Sequence, residues 1–403
     1  MFKNKYRSIS FGAVCLVAII ALAVSVNFIA LQSDNSSAES DSDYSLNGGI
    51  YTNYESDDLG EIIGLINGDS TGSVFTITVN NNIPDFAGYT LDVNKTITLT
   101  SSPGDTHKLT MASAERHFTV KGGTTLVLMD IILEGGNSTG FSGGIEVESA
   151  GTLIMELGAV IQKCSARDGG GVYNNGTFTM KGGDIKDNNA LGNIGGPGGG
   201  YGGGVFNYES ATFVMEAGKI SGNNARLYGG GVENYGTFTM DRGTITGNSV
   251  PSEGAGVHNH GTFTMNGGEI TGHNAIIGAG LCSYGTFIMN GGEISGNSAK
   301  DAAGVLNYRN FYMNGGEISG NTAITFGGGV VNEGSSGAAP AVFTMTGGKI
   351  INNTAFLGGG VSNSSIELIT KEPAVFNMTG GEISGNKALS PGANPSYGGG
   401  VSN

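Results

Sequence analysis

Hydrophobic residues along this chain fall into short alternating words rather than helical stripes. Residues 255–275, AGVHNHGTFTMNGGEITGHNA, show the unit. Three β-rich words alternate with glycine-rich turns: Gly-Val-x-Asn, Gly-Thr-Phe-Thr-Met and Gly-x-Ile-x-x-Asn-x-Ala. Within the second word, Phe263 and Met265 share one face of an extended chain and Thr262 and Thr264 the other. A helix would need a 3.6-residue apolar period, which turns at this frequency forbid. The apolar pair recurs as Phe178/Met180, Phe213/Met215, Phe238/Met240 and Phe287/Met289.

Nine methionines hold that register: Met155, Met180, Met215, Met240, Met265, Met289, Met313, Met345 and Met378. Their steps are 25, 35, 25, 25, 24, 24, 32 and 33 residues, and each stands five residues before an Ile or Val. A fixed period of this size marks a repeat architecture. The expected fold is therefore all-β: a parallel β-helix (solenoid) with three short strands per coil of 24–25 residues. The longer steps place extra residues at turns, namely Leu191–Gly199, Glu333–Ala341 and Ser364–Ala374, with Ala388–Tyr397 in the last connection. Such insertions on a rigid stack are expected contact surfaces.

Two polar columns run with the apolar ones. Asn174, Asn207, Asn234, Asn259, Asn307, Asn332, Asn363 and Asn403 follow an inner Val by two residues. Asn188, Asn223, Asn248, Asn297, Asn321, Asn353 and Asn386 follow an inner Ile by three, and His273 takes the same place in its coil. Stacked amides bond along such a column and satisfy buried turn carbonyls.

Regular repeats are expected over 115–403, preceded at 49–114 by a cap and irregular first coils. Asp58 to Asn67 reads as a short capping helix, with Asp58 and Glu61 as a capping box and Leu59, Ile62, Ile63 and Ile66 as its apolar face. Strands are expected at Val74–Val79, Thr96–Thr100 and Leu126–Leu133. Residues 32–48, rich in Ser and Asp, read as an acidic linker. Ahead of it, Lys3, Lys5 and Arg7 precede an apolar run from Phe11 to Leu31, so 1–31 reads as a signal peptide or signal-anchor. The chain is thus expected to be exported, at the cell surface or outside the cell, touching membrane only through this segment. Cys15 lies in it, but Val14 spoils a lipobox.

Composition narrows the partners. Glycine is abundant, at 74 residues, yet recurs at fixed offsets, marking turns rather than disorder. A net charge of −15 lacks the basic footprint that nucleic acid needs. Cys164 and Cys282 lie five coils apart, about 24 Å at the strand spacing, which excludes a disulfide between them.

GGEISGNTAITFGGGVVN at 315–332 resembles the repeats of bacterial and archaeal adhesin-like surface proteins with right-handed parallel β-helices of the pectin-lyase-like fold. It is also similar to the repeats of chlamydial polymorphic outer-membrane proteins, through Ile318, Asn321, Ala323, Gly328, Gly329 and Val330. The resemblance covers about 115–403 and, more loosely, 49–114. It implies a right-handed coil and a surface role. The last residues, Gly398–Asn403, open another coil, so the repeats are expected to continue; no C-terminal barrel, sorting motif or second apolar anchor is visible.

The same scaffold carries pectate lyases and polygalacturonases, whose chemistry requires recognisable residue sets. Glycoside hydrolysis uses two carboxylates across one sugar. The Asn-Thr-Asp, paired-Asp, Gly-His-Gly and Arg-Ile-Lys set of polygalacturonases does not occur in order. Glu269, Glu293 and Glu317 precede the inner Ile on successive coils, a solvated acidic edge or a Ca²⁺ ladder; Lys219 and Lys349 in that register favour the edge. His258 and His260 are two residues apart and could pinch a metal, but no third ligand is identifiable. No catalytic residue, metal or cofactor is therefore expected.

Tyr208, Tyr235, His260, Tyr284 and Tyr308 share one register on successive coils. Ring stacking up the column is one reading; a sugar-binding strip is the other. The outward pairs Thr177/Thr179, Thr237/Thr239 and Thr262/Thr264 resemble the flat arrays of ice-binding β-helices, interrupted here by Val214, Ile288 and Tyr312. The expectation is a non-enzymatic adhesin-like scaffold contacting glycans or host or neighbouring cell-surface components. A polysaccharide lyase or hydrolase is the alternative, and ice or mineral binding a minor one.

Overall fold

The computed structural model describes residues 42–49, 51–136, 140–193, 196, 198–334, 340–364, 374–389 and 398–403. The leader (1–31), the linker up to 41, part of the first turn insertion and most of the other three lie outside the described residues. Among the described residues the chain winds into a parallel β-helix with sheets of 14, 12 and 12 strands. One sheet collects the Phe/Met words, from Val74–Val79 to Val375–Met378; a second collects the Ile words; a third collects the Val-x-Asn words. From Phe178 onward the coils pair in register, Phe on Phe and Met on Met.

The core is those columns. Phe178, Phe213, Phe238, Phe263, Phe287, Phe311 and Phe343 are all fully buried. Neighbouring Phe rings from 178 to 376 stack at 4.5–5.1 Å, with planes 4–19° apart. From Met180 to Met345 each Met methyl reaches toward a positive-φ glycine of the following coil. At Gly268, φ is +84° and an added Cβ would lie 2.6 Å from Met240 Cε. Glycine is needed there twice over, for the backbone turn and for the methyl group.

Both Asn columns bond as stacked amides. Asn174, Asn207 and Asn234 each donate from Nδ2 to the next Oδ1, at 2.7–2.8 Å. Asn259 donates instead to Ser283 Oγ at 3.0 Å, where the column exchanges amide for hydroxyl. In the second column, Asn188 donates to Asn223 Oδ1 and to the Ile161 carbonyl, and the pattern repeats up the stack. His273 substitutes for the amide: its Nδ1 accepts from the Asn248 N–H at 3.2 Å and its Nε2 donates to the Ile245 carbonyl at 3.0 Å.

Three details depart from the sequence reading. The linker stops short of residue 48, because Tyr44–Gly48 is a strand, antiparallel to both Tyr51–Ser56 and Val74–Val79. Its Tyr44 and Leu46 alternate into the core, a two-residue apolar signal hidden behind the acidic run. The stretch 126–133 is two strands, Thr125–Met129 and Ile131–Glu134, divided at Asp130, whose φ of 47° turns the corner between sheets. Finally, the Asn-x-Ala words form short fourth strands, in sheets of three and five.

The helix Leu59–Gly68 caps the stack as expected. Leu59, Ile62 and Ile66 are buried, and Leu59 and Ile63 face Ile77, Leu91, Ile97, Leu99, Phe118 and Leu126 across a small void. Asp58 is the N-cap, accepting from the Gly60 N–H at 2.7 Å. Glu61 does not close the capping box; it accepts from the Tyr54 and Ser56 hydroxyls, while Ser56 Oγ takes the Asp58 N–H. No helix among the described residues is long and apolar enough to cross a membrane.

Candidate functional site: a buried polar seam on the outer face

In a Val-x-Asn strand the flanking residues point inward and the middle one outward. Stacking places the middle residues in one outer column: Tyr173, Phe206, Glu233, His258, Cys282, Leu306 and Val331. An outward residue ordinarily meets water. Here the column from Phe206 to Val331 is buried, each residue 6% exposed or less. One flank is covered by residues that precede the Gly-rich corner, Tyr201, Tyr228, Glu253 and Ile277, which bridge one another in sequence. The other flank is covered by the aromatic column. The result is a second core outside the coil, lined by Ile277, Tyr284, Tyr308 and Phe326 at one end.

The aromatic residues singled out from sequence do come together. Tyr235 stacks on His260 at 4.5 Å, His260 on Tyr284 at 5.1 Å, and Tyr284 on Tyr308 at 4.5 Å. Tyr208 leans on Phe206 and Tyr173 rather than on Tyr235. Between Tyr235 and Tyr308 the ring faces meet each other, so the faces that would stack on a sugar are already taken.

Within this seam, three middle residues on consecutive coils carry chemistry. Glu233 is fully buried, and both its oxygens lie 3.0 Å from Nδ1 of His258. Nε2 of His258 makes no hydrogen bond, and Glu253 Oε2 stands 3.8 Å away. The Cys282 thiol donates to that same oxygen at 3.7 Å, and the Tyr284 hydroxyl donates to it at 3.0 Å. Tyr228 stacks on the imidazole at 4.8 Å. Burial works against a charged His258, but the Glu233 carboxylate, with Cys282 and Glu253 beside it, outweighs burial and raises its pKa well above the ordinary value. His258 holds Glu253 below the usual carboxylate range against partial burial, with help from Tyr284. His260 is pushed down to about 4, first by burial and then by the neighbouring His258.

The two histidines come together with a third group that the sequence did not reveal: Glu233, His258 and His260 each offer a ligand atom within 4.8 Å of the others. The imidazole rings meet edge-on at 4.8 Å, and His258 turns toward Glu233 and Glu253. The partners missing from the sequence reading are Glu233, Glu253 and Cys282. Glu233 and Cys282 lie on neighbouring coils and share the register of His258 as middle letters of consecutive words, whereas Glu253 stands at the corner just before His258. A Cys–His–Glu nucleophile arrangement is also present in outline. Cys282 is fully buried and burial pushes its thiol up to about 11, the opposite of an accessible, reactive thiolate.

Other candidates resolve more simply. Glu269, Glu293 and Glu317 lie directly opposite one another, followed by Lys349, along an open face. The Thr pairs lie in register on the outer face of the Phe/Met sheet, with Val214 and Ile288 among them. A cleft of about 470 Å³ near the first coils is lined by Tyr89, Glu115, Arg116, Phe141 and Arg167. Its Arg116 donates to the Asp168 and Gly169 carbonyls at 2.7 and 2.6 Å, tying coils together. Cys164 and Cys282 are both free and buried. No protein-family model, curated protein or solved structure matches the chain.

Proposed function

We propose that this chain is an exported, adhesin-like surface scaffold, non-enzymatic, whose outer faces contact glycans or components of host or neighbouring cells. The inner columns fill the coil with side chains, which leaves its exterior for recognition. One observation carries the reading. Ile324, Phe356 and Leu389 follow the Ala of successive corner words, in register, and are 72, 38 and 55% exposed. Exposed apolar side chains aligned along a soluble stack are costly unless something covers them, which is how contact surfaces are marked. The acidic leader-proximal sequence and the apolar run 11–31 support export. The lyase or hydrolase alternative gains no such support: Glu233 and Glu253 surround a buried imidazole, and Glu269, Glu293 and Glu317 form one in-register row on an open face rather than a pair set across a groove.

The test is binding of the purified chain to immobilised glycans, matrix proteins and cells, with Ile324→Glu/Phe356→Glu/Leu389→Glu in parallel. Binding that falls at least tenfold in the variant, with β-sheet circular dichroism unchanged, supports the reading. Absence of binding across the panels together with new reducing ends or unsaturated products from acidic polysaccharides would overturn it.

A further inference from the structure

Glu253, His258 and Cys282 each offer one ligand atom, and those atoms lie within 4.8 Å of one another. We propose that they form a binding site for a single divalent transition-metal ion of the Zn²⁺ class, with Glu233 as the positioning residue behind His258. Four independent features of the seam lead there.

First, the donor set fits. Imidazole nitrogen, thiolate sulfur and carboxylate oxygen are the ligands of Zn²⁺, at bond lengths of about 2.0–2.3 Å. A tetrahedron with such bonds has ligand-to-ligand edges of about 3.3–3.7 Å. The oxygen-to-nitrogen separation is 3.8 Å and the oxygen-to-sulfur separation 3.7 Å. These distances are long for hydrogen bonds between nitrogen and oxygen, but close to what an ion seated between them needs.

Second, His258 Nε2 is an orphan. The side chain is 1% exposed and its Nε2 has no hydrogen-bond partner, although it faces Glu253 and Cys282. Buried polar atoms without partners are rare and call for an occupant. Third, the ligands have a supporting shell. Glu233 grips Nδ1, which leaves Nε2 as the coordinating atom, and Tyr284 holds the Glu253 carboxylate. A carboxylate behind a ligating imidazole is the arrangement that orients such ligands and raises their basicity.

Fourth, the repeat itself shows that this cluster is not needed for packing. The same column accommodates Phe206, Leu306 and Val331 without polar partners. Burying a carboxyl group and an imidazole carries a desolvation cost that an apolar residue avoids. Three coils depart together from an apolar solution available on either side. The seam borders solvent at Glu253 and His260, whose side chains are 20 and 33% exposed. Loading releases the Cys282 thiol proton, and any proton on His258 Nε2, to solvent. The fourth position is left to water or an outside ligand.

The experiment uses the full chain stripped with chelator and reloaded with Zn²⁺ or Co²⁺. The site should retain a single equivalent of Zn²⁺ after gel filtration. Co²⁺ should give the intense visible bands of a tetrahedral centre and a near-ultraviolet thiolate charge-transfer band. That thiolate band should vanish in Cys282→Ser and persist in Cys15→Ser/Cys164→Ser. Glu233→Gln should keep the spectrum while weakening affinity about 10–100-fold, the usual cost of losing an outer partner. Should Cys282→Ser fail to fold, Glu253→Gln on the partly exposed corner tests the same ion through an altered Co²⁺ spectrum and weaker binding. Folded parent protein that retains no Zn²⁺ and shows no Co²⁺ bands overturns the proposal. So does a thiolate band unchanged by Cys282→Ser, or a spectrum and affinity unmoved by Glu253→Gln.

Discussion

The inner Phe column and the outer column of middle residues are buried to nearly the same degree, yet one repeats and the other changes at every coil. From Phe213 to Phe343 every inner ring has its own copy above and below it. Outside, Phe206, Glu233, His258, Cys282, Leu306 and Val331 follow one another without a shared chemistry. Burial alone therefore does not enforce repetition. Self-stacking does, because a ring packed between two like rings can be exchanged only by opening a void against both. The outer column is roofed by Tyr228, Glu253, Ile277 and the aromatic strip, which differ from coil to coil and tolerate different guests. This solenoid confines its regularity to the coil interior and holds its singular chemistry one layer further out.

The most severe way to break that contrast is Phe263→Ala. The ring is fully buried between Phe238 and Phe287, at 4.6 and 5.1 Å. Its removal should cost about 3–5 kcal/mol, the range for truncating a buried aromatic side chain. Equilibrium denaturation, followed by circular dichroism, measures it. A loss under about 1 kcal/mol would mean that the flanking rings close the gap and that self-stacking is not what the column selects.

This division also explains what the sequence disclosed. A position that recurs every coil is its own alignment, so the Phe, Met, Ile and Asn columns could be read from a single chain. Tyr235, His260, Tyr284 and Tyr308 were found for the same reason. Glu233 and Cys282 occur once each, with only the register of His258 in strands 25 and 24 residues away to link them, and Glu253 lies outside that register. The capping box failed differently: Glu61 had the right spacing from Asp58, but Tyr54 and Ser56 offered hydroxyl donors that spacing cannot reveal. Tyr44–Gly48 was hidden by the polar residues before it, since two alternating apolar side chains are too short a period to recognise.

A gentler test uses a place where an inner column changes chemistry. His273 replaces an amide, with Nδ1 as acceptor and Nε2 as donor, and only the neutral ring can fill both roles. Burial lowers its pKa to about 4 from an ordinary 6.5. The folded protein thus refuses a proton that the unfolded chain accepts. Its stabilising contribution is complete above pH 6.5 and is lost as pH falls toward 4. At about 1.4 kcal/mol per unit, the loss amounts to roughly 3 kcal/mol. His273→Asn restores the residue of the other coils and should remove this part of the acid limb. Denaturation at pH 7 and pH 4 should show the parent losing roughly 3 kcal/mol more than the variant. Equal losses would mean that the imidazole takes up a proton in the fold and that the column does not demand amide-like geometry.

The smallest effect lies on the exposed side, where repetition is tolerated rather than selected. Glu269, Glu293 and Glu317 face one another along the Ile sheet, and the next coil supplies Lys349. Like charges directly opposite on parallel neighbours repel, by roughly 0.2–1 kcal/mol per pair. Glu293→Lys turns two repulsive neighbours into attractive ones without touching the buried Ile294. It should stabilise the chain by a few tenths to about 1 kcal/mol at low ionic strength. Salt should erase the gain, because these groups border open solvent and are screened within about 10 Å at 0.1 M. Denaturation midpoints at low and high salt separate the cases. A destabilisation by Glu293→Lys would show that the acidic ladder holds a cation, and that outer repetition, like inner repetition, is there to stack something.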